Sequence, residues 1–303
     1  MTAHTRTGAA TAVTLPDPAL TRPLTSTPAS QETAMTSATY RHYSGTAAEL
    51  YQSFFVPSIA TPVSGELLRT AALQPGTQVL DVACGTGVVT RAAAEQVGPT
   101  GSVTGIDVAP DMIAVARTIP AGGAPITWQE TDAASLSLPD EFYDVGLCQM
   151  GLMFMEDRTG ALSELHRVLT SGGRVVINTP GRIQPLFEVM EQAIADNLDP
   201  GLSAFVSAVF SMHDPSVLAD LLQEAGFGDV TSKEYEAAFD LPGPAEFLWN
   251  YINLTPMGPL VADAPEGAKA AMERQVVEAW TPSVVNGRIP VDQPIALAWG
   301  VRP

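Results

Sequence analysis

Three acids and two glycines are the residues of this chain whose types and spacing could hold a ligand. Asp81 interrupts the apolar run Val79-Leu-Asp-Val-Ala-Cys-Gly-Thr-Gly87, which breaks at Gly85 and Gly87. Glycines at a strand end allow close backbone approach, and the helix that follows offers unpaired N–H groups and a positive dipole end. A carboxylate or a ribose can lie against such a turn. Asp107 closes the next strand-like run, Val103-Thr-Gly-Ile-Asp107, and an acid there can accept both hydroxyls of a ribose. That pairing also suits a nicotinamide dinucleotide. The G-x-G-x-x-G fingerprint is not completed, however, because Val88-Val-Thr90 follows Gly87 and leaves no small residue for close helix–strand packing.

Side chains able to move a proton are few. His213 precedes the helix start Asp214-Pro215 and follows Phe210-Ser-Met212, so it is the candidate general base, with an ordinary loop histidine as the alternative. His166 reads as a surface residue of a helix, His4 falls in the N-terminal tail, and His42 stands beside Tyr40 and Tyr43. Histidines and cysteines never occur at metal-ligand spacing, so no metal is expected. The N-terminus lacks the charged, apolar, small-residue order of a secretory signal, so a cytoplasmic protein is expected, in which Cys84 and Cys148, too few for a disulfide framework, read as free thiols.

The elements that must position these residues follow from hydrophobic periodicity. Strand-like runs over 78–82, 102–107, 126–130, 143–148 and 174–178 are separated by helical patterns over 88–97, 110–119 and 160–169. This alternation implies βαβ units and a parallel sheet with helices on both faces. Two helices precede it, one from Ala47 onward and one over 62–73. Helices over 185–197 and 216–225 and an apolar stretch over 202–210 follow it, then strands over 229–238 and 295–301 that read as a closing antiparallel pair. Residues 241–293 between them exceed what a hairpin requires and read as a lid, with a structural flap as the alternative. Residues 1–36, rich in Thr, Ala, Pro and Ser without hydrophobic period, read as a disordered tail; Met35 is an alternative start of translation. The globular unit is therefore 37–303, with a core over 47–240 and 294–303.

Composition excludes some partners. The 303 residues carry 33 acids against 15 bases, a formal charge of −18, which repels a phosphate backbone and argues against nucleic acid. No apolar run approaches the ~20 residues that a membrane helix needs, so no membrane insertion is expected.

The segment Val79 to Gly87 resembles the first motif of class I S-adenosylmethionine-dependent methyltransferases, and several later segments agree with it in order. Gly105-Ile-Asp107-Val-Ala-Pro-Asp-Met112 resembles the second-strand motif, Thr131-Asp132-Ala133 the segment after the third strand, and Asp144 to Phe154 the fourth strand and its loop. Glu164 to Arg174 resembles the helix and turn before the fifth strand, with Ser171 where the family usually has proline. The resemblance implies a Rossmann-like α/β fold: a seven-stranded, mostly parallel sheet with an antiparallel last strand, here with a helical cap.

It also implies that S-adenosyl-L-methionine is the cofactor. Asp107 would bind the ribose, Val108 or Met112 would pack on adenine, Asp132 would accept the adenine amino group and Asp81 would position the methionine ammonium. Ala83, Gly85, Gly87, Ala133, Cys148 and Gln149 complete the expected cofactor set. The expected acceptor pocket comprises the Phe54-Phe55 segment, the loop from Gln149 to Met155 including Met153, and Phe247, Trp249, Tyr251 and Met257 of the insertion. The implied activity is methyl transfer to a small, largely apolar or aromatic metabolite, a natural product or quinone-like molecule. The alternative is a protein of this fold that binds the cofactor without transferring methyl, as a cyclase, an isomerase or a regulator. A homodimer is compatible with the sequence.

Overall fold

The computed structural model describes residues 45–303, with side chains from Ala47 onward. The expected tail over 1–36, the alternative start at Met35, and His4 and His42 lie outside the described residues. Helix α1 (Gly45–Leu50) runs into ten residues of π-helix (Tyr51–Ala60), which α2 (Thr61–Ala71) continues. The wider winding coincides with Pro57, whose missing N–H cannot join an α-helical ladder, and Thr61 N–H reaches back to the Val56 carbonyl. Next come β1 (Gln78–Val82), α3 (Val88–Val97), β2 (Ser102–Asp107), α4 (Pro110–Thr118), β3 (Ile126–Glu130) and β4 (Tyr143–Gln149). They are followed by α5 (Arg158–Val168), β5 (Leu169–Pro180), α6 (Pro185–Asn197), α7 (Pro200–Val209) and α8 (Pro215–Glu224). The chain closes with β6 (Gly228–Leu241), α9 (Pro244–Asn253), α10 (Met257–Ala262), α11 (Glu266–Trp280) and β7 (Ile289–Val301).

The seven strands form one sheet in the order β3-β2-β1-β4-β5-β7-β6, in which β7 runs antiparallel to both neighbours. The order reverses between β1 and its neighbours β2 and β4, the place where an open α/β sheet leaves a crevice. Strand periodicity divides β1 between two cores. Val79 packs with Leu67, Val89 and Val97 under α2 and α3, whereas Leu80 and Val82 pack with Leu162, Leu165 and Leu222 under α5 and α8. Asp81 shares the face of Val79 and points toward α3. Helix starts are fixed locally: Asp157, Asp199 and Asp214 accept the N–H groups of Gly160, Gly201 and Ser216, and proline opens α4, α6, α7, α8 and α9.

The closing pair is longer than its sequence pattern suggests. β6 and β7 pair from Gly228↔Val301 to Leu241↔Ile289, so the insertion spans 242–288. The added stretch carries Asp240, Pro290 and Asp292 on outward positions, which hides the alternation of Ile289, Val291, Gln293 and Ile295 on the buried face. The insertion packs its aromatic face onto the body of the protein. Phe247 and Trp280 are fully buried with Phe187 and Phe54, ring centroids lie 5.5–6.5 Å apart, and Trp280 Nε1 donates to the Leu186 carbonyl at 3.0 Å.

Candidate active site

Where β1 ends, the backbone turns through three left-handed residues, Ala83 (φ 55°), Gly85 (φ 54°) and Gly87 (φ 85°). The two glycines serve different neighbours. A Cβ on Gly85 would meet Tyr51 at 3.4 Å, in space beside the cavity. A Cβ on Gly87 would stand 2.2 Å from the indole of Trp128, and one on Gly105 would stand 2.8 Å from the same ring. Gly87 is thus a packing slot for a β3 side chain and does not line the cavity. The left-handed turn draws the Gly85 N–H onto Asp107 Oδ2 at 2.8 Å, while the Ala109 N–H donates to Asp107 Oδ1 at 2.9 Å. Each oxygen of Asp107 keeps a lone pair for a further donor. Burial raises the Asp107 carboxyl above the usual carboxylate range, against those backbone bonds.

A cavity of about 330 Å³ opens at this turn and runs between the sheet edge and the helical cap. Ala83, Gly85, Asp107, Val108, Met112, Asp132, Ala133, Gln149, Phe55, Met153 and Tyr251, all residues singled out in the sequence, line it. Asp132 Oδ1 accepts the Ala134 N–H at 3.0 Å, which fixes the loop after β3 at the cavity wall. Gln149 Nε2 donates to the Ala60 carbonyl at 3.0 Å, leaving Gln149 Oε1 buried without a hydrogen-bond partner among the described residues.

Several expected site residues stand elsewhere. Asp81 is 1% exposed, does not line the cavity and accepts the Thr90 hydroxyl of α3 at 2.5 Å, because strand alternation turns it away from the ligand face. Burial pushes its carboxyl up to about 7; the Thr90 hydroxyl opposes this and the charge of Asp107 adds to it. Cys148 is buried behind the loop that follows β4, its thiol pushed up to about 12 by burial, and it contributes packing. Cys84 is likewise a buried free thiol held well above the usual range. Trp249 turns its indole N–H to Glu273 Oε2 at 2.6 Å and stays outside the cavity, while Phe54, Phe247 and Met257 fill the cap core. The candidate base His213 is corrected: its side chain is exposed, its Nδ1 stands 3.1 Å from the Phe210 carbonyl, and it does not line the cavity. From there it cannot take a proton from a molecule bound inside.

Other residues reach the site without having been singled out. Tyr51 stacks on Phe55 at 4.7 Å and covers Gly85. Burial, then the charges of Asp107, Cys84 and Asp81, raise its phenol above the ordinary value and keep it neutral. The i, i+4 spacing of Tyr51 and Phe55 marks a common face, but that pattern equally suits a core helix. Phe205 stacks on Phe154, a residue of the loop expected to border the acceptor, at 6.2 Å, and both line the cavity, as do Leu254 and Thr255 past α9. Arg158 holds the loop after β4 by donating to the carbonyls of Leu152 and Met153 at 3.2 and 2.9 Å. Among the described residues, no group of three or more His, Cys, Asp or Glu could hold a metal.

The donor set fits S-adenosylmethionine. Among the described residues, two buried carboxyls raised by burial, an amide oxygen at Gln149 without a partner, and a lining that holds no Lys, Arg or His favour a ligand carrying positive charge. A sulfonium and an ammonium supply that charge, and the ribose supplies hydroxyl donors for Asp107.

Comparison with known proteins agrees with this geometry. A family model described as a methyltransferase domain matches residues 79–173, and the model of protein-L-isoaspartate(D-aspartate) O-methyltransferase matches residues 37–120. The demethylmenaquinone methyltransferase of Staphylococcus epidermidis is 31% identical over 181 residues, covering 56% of this chain and 75% of the relative. The nocamycin O-methyltransferase of Saccharothrix syringae is 30% identical over 261 residues, covering 80% of this chain and 91% of the relative. In fold, the chain is similar to phosphoethanolamine N-methyltransferase 2 of Haemonchus contortus, solved with S-adenosylhomocysteine. The TM-score is 0.53 and the identity 17%, over 86% of this chain and 58% of that one. With the cofactor turn, the strand-end acid and relatives matched over most of their length, the chain belongs to the class I S-adenosylmethionine-dependent methyltransferases.

Proposed function

We propose that this methyltransferase acts on a small, largely apolar or aromatic acceptor held under the helical cap. The observation that carries the reading is the continuity of one cavity from Asp107 and Asp132 to Phe55, Phe154, Phe205 and Tyr251. Asp107 would hold the ribose hydroxyls, Asp132 would accept the adenine amino group, and Val108, Met112 and Ala133 would flank the ring. The unpartnered Gln149 oxygen would accept from the methionine ammonium. Asp81, one layer behind the turn, would stabilise that ammonium by charge, without the contact expected from the sequence.

When bound, the cofactor supplies an electrophilic methyl on sulfur, which a lone pair or carbanion of the acceptor displaces in line while sulfur keeps the bonding pair. The chain's contribution is alignment and exclusion of water. Phe55, Met153, Phe154 and Phe205 provide the apolar walls, and Tyr51 covers the turn at the join between the two halves. Among the described residues no histidine or lysine lines the cavity, so the acceptor proton would pass to solvent at the cavity mouth, which suits a nucleophile that ionises readily. The relatives named for demethylmenaquinone and nocamycin support an acceptor of natural-product or quinone type.

A radiolabelled methyl-transfer screen over phenols, hydroquinones, amines and carboxylic acids tests this reading. Labelled product is expected from phenolic or hydroquinone acceptors. Tight cofactor binding with no transfer to any acceptor would instead support a cofactor-binding protein that does not methylate.

A further inference from the structure

Of the α7 and α9 residues that line the cavity, Phe205, Val209 and Tyr251, only Tyr251 carries a polar group. Tyr251 is 5% exposed and lines the cavity beside Phe205 and Leu254, with its ring stacked on Phe247 at 5.6 Å. Its hydroxyl has no hydrogen bond within the described residues, and burial alone raises its phenol above the ordinary value, so it stays protonated. The neighbouring Thr255 hydroxyl donates to the Ile252 carbonyl at 2.8 Å, which commits its proton to the helix end. The Tyr251 hydroxyl therefore keeps its donor free toward the cavity, where a bound molecule can supply a partner.

Charge limits what that partner can be. Among the described residues, the lining includes the carboxylates Asp107 and Asp157 and no Lys, Arg or His, within a chain of net charge −18. An anion entering this space would lose its hydration and meet no cation among them.

We propose that Tyr251 is the specificity-determining residue of the acceptor site, hydrogen-bonding a hydroxyl or carbonyl on a neutral ring, and that the site rejects carboxylate- and phosphate-bearing acceptors. This rests on the reading of the cavity as a joint cofactor and acceptor site. Tyr251 positions the acceptor; it does not take its proton.

The test uses the full chain saturated with S-adenosylhomocysteine and three probes of one shape: 2-naphthol, 2-methylnaphthalene and 2-naphthoate. Binding is followed by fluorescence titration in wild type and Tyr251→Phe. Wild type should bind 2-naphthol at least about tenfold more tightly than 2-naphthoate, the factor expected from ~1.4 kcal/mol. Tyr251→Phe should weaken 2-naphthol about tenfold and change 2-methylnaphthalene less than about twofold, the loss of one hydrogen bond. It should keep the melting temperature and the S-adenosylhomocysteine affinity of wild type. The proposal is overturned if both naphthalene probes respond equally to the substitution, if 2-naphthoate binds as well as 2-naphthol, or if no probe binds the loaded enzyme. Absence of S-adenosylhomocysteine binding by wild type would instead overturn the cofactor reading, and the proposal with it.

Discussion

Asp81 and Asp107 lie close enough in the first two strand ends for the charge of one to raise the other, and Arg91 is the weakest influence on Asp81. A carboxyl raised from 3.8 to about 7 has a defined linkage sign. Its contribution to stability is fully present below the unfolded value and is lost as pH rises through about 7. The cofactor-free protein should therefore melt lower at pH 8 than at pH 6 on account of this group. Asp81→Asn should remove that part of the pH dependence and raise the melting temperature at pH 8 by at least ~2–4 °C, the shift for about 1 kcal/mol. A cationic ligand prefers the ionised form, so cofactor affinity should rise between pH 6 and 8 in wild type and stay flat in Asp81→Asn. Calorimetry at both pH values checks each arm. The identity of Asp107 was legible in the sequence because an acid closing a second strand has few structural reasons to be there. The direction of Asp81 was also available, since it shares the parity of Val79, but the motif's expected ligand contact outweighed that alternation. Tyr51 gave no separate signal, because its helical spacing with Phe55 describes a buried face and a ligand wall equally well.

The first two helices and the turn illustrate how elements serve the site. Gly87 is needed because Trp128 of β3 crosses it, and Gly85 because the turn is left-handed under Tyr51. Gly87→Ala should destabilise by ~2–4 kcal/mol, combining an overpacked contact with an unfavourable φ, and Trp128→Ala in the same chain should recover part of the loss. Gly85→Ala should cost about 1–2 kcal/mol from φ alone and weaken cofactor binding more than Gly87→Ala does. Thermal melts of the three variants with a binding titration separate the two roles. On the cap, Trp280→Ala should cost ~3–5 kcal/mol, because the indole is fully buried among Phe187 and Phe247 and its N–H is satisfied. The alternation of strands and helices from β1 to α5 was legible to within a residue or two at most ends. The π-helical stretch was not, because its register depends on a wide turn at Pro57 that no hydrophobic period encodes. The added length of β6 and β7 was hidden by edge-strand charges and prolines that read as a loop.

Across the whole molecule, the strand ends of the sheet and the helices above them line one cavity. They are joined through one aromatic core that runs from Phe54 to Trp280. This division explains why the cavity residues at strand ends were readable at fixed motif positions while those on the helices above were only partly so. Strand order follows from the sequence pattern; the helical lining depends on how α7 and α9 dock, and docking sent Trp249 to Glu273 and Tyr251 to the cavity. The account's central claim is that the cavity at Asp107 is the S-adenosylmethionine site. Calorimetric titration of wild type and Asp107→Ala with S-adenosylhomocysteine tests it most directly. Saturable one-to-one binding by wild type, weakened at least about tenfold in a folded Asp107→Ala, is the predicted result; equal binding by the two proteins, or none by wild type, would contradict it.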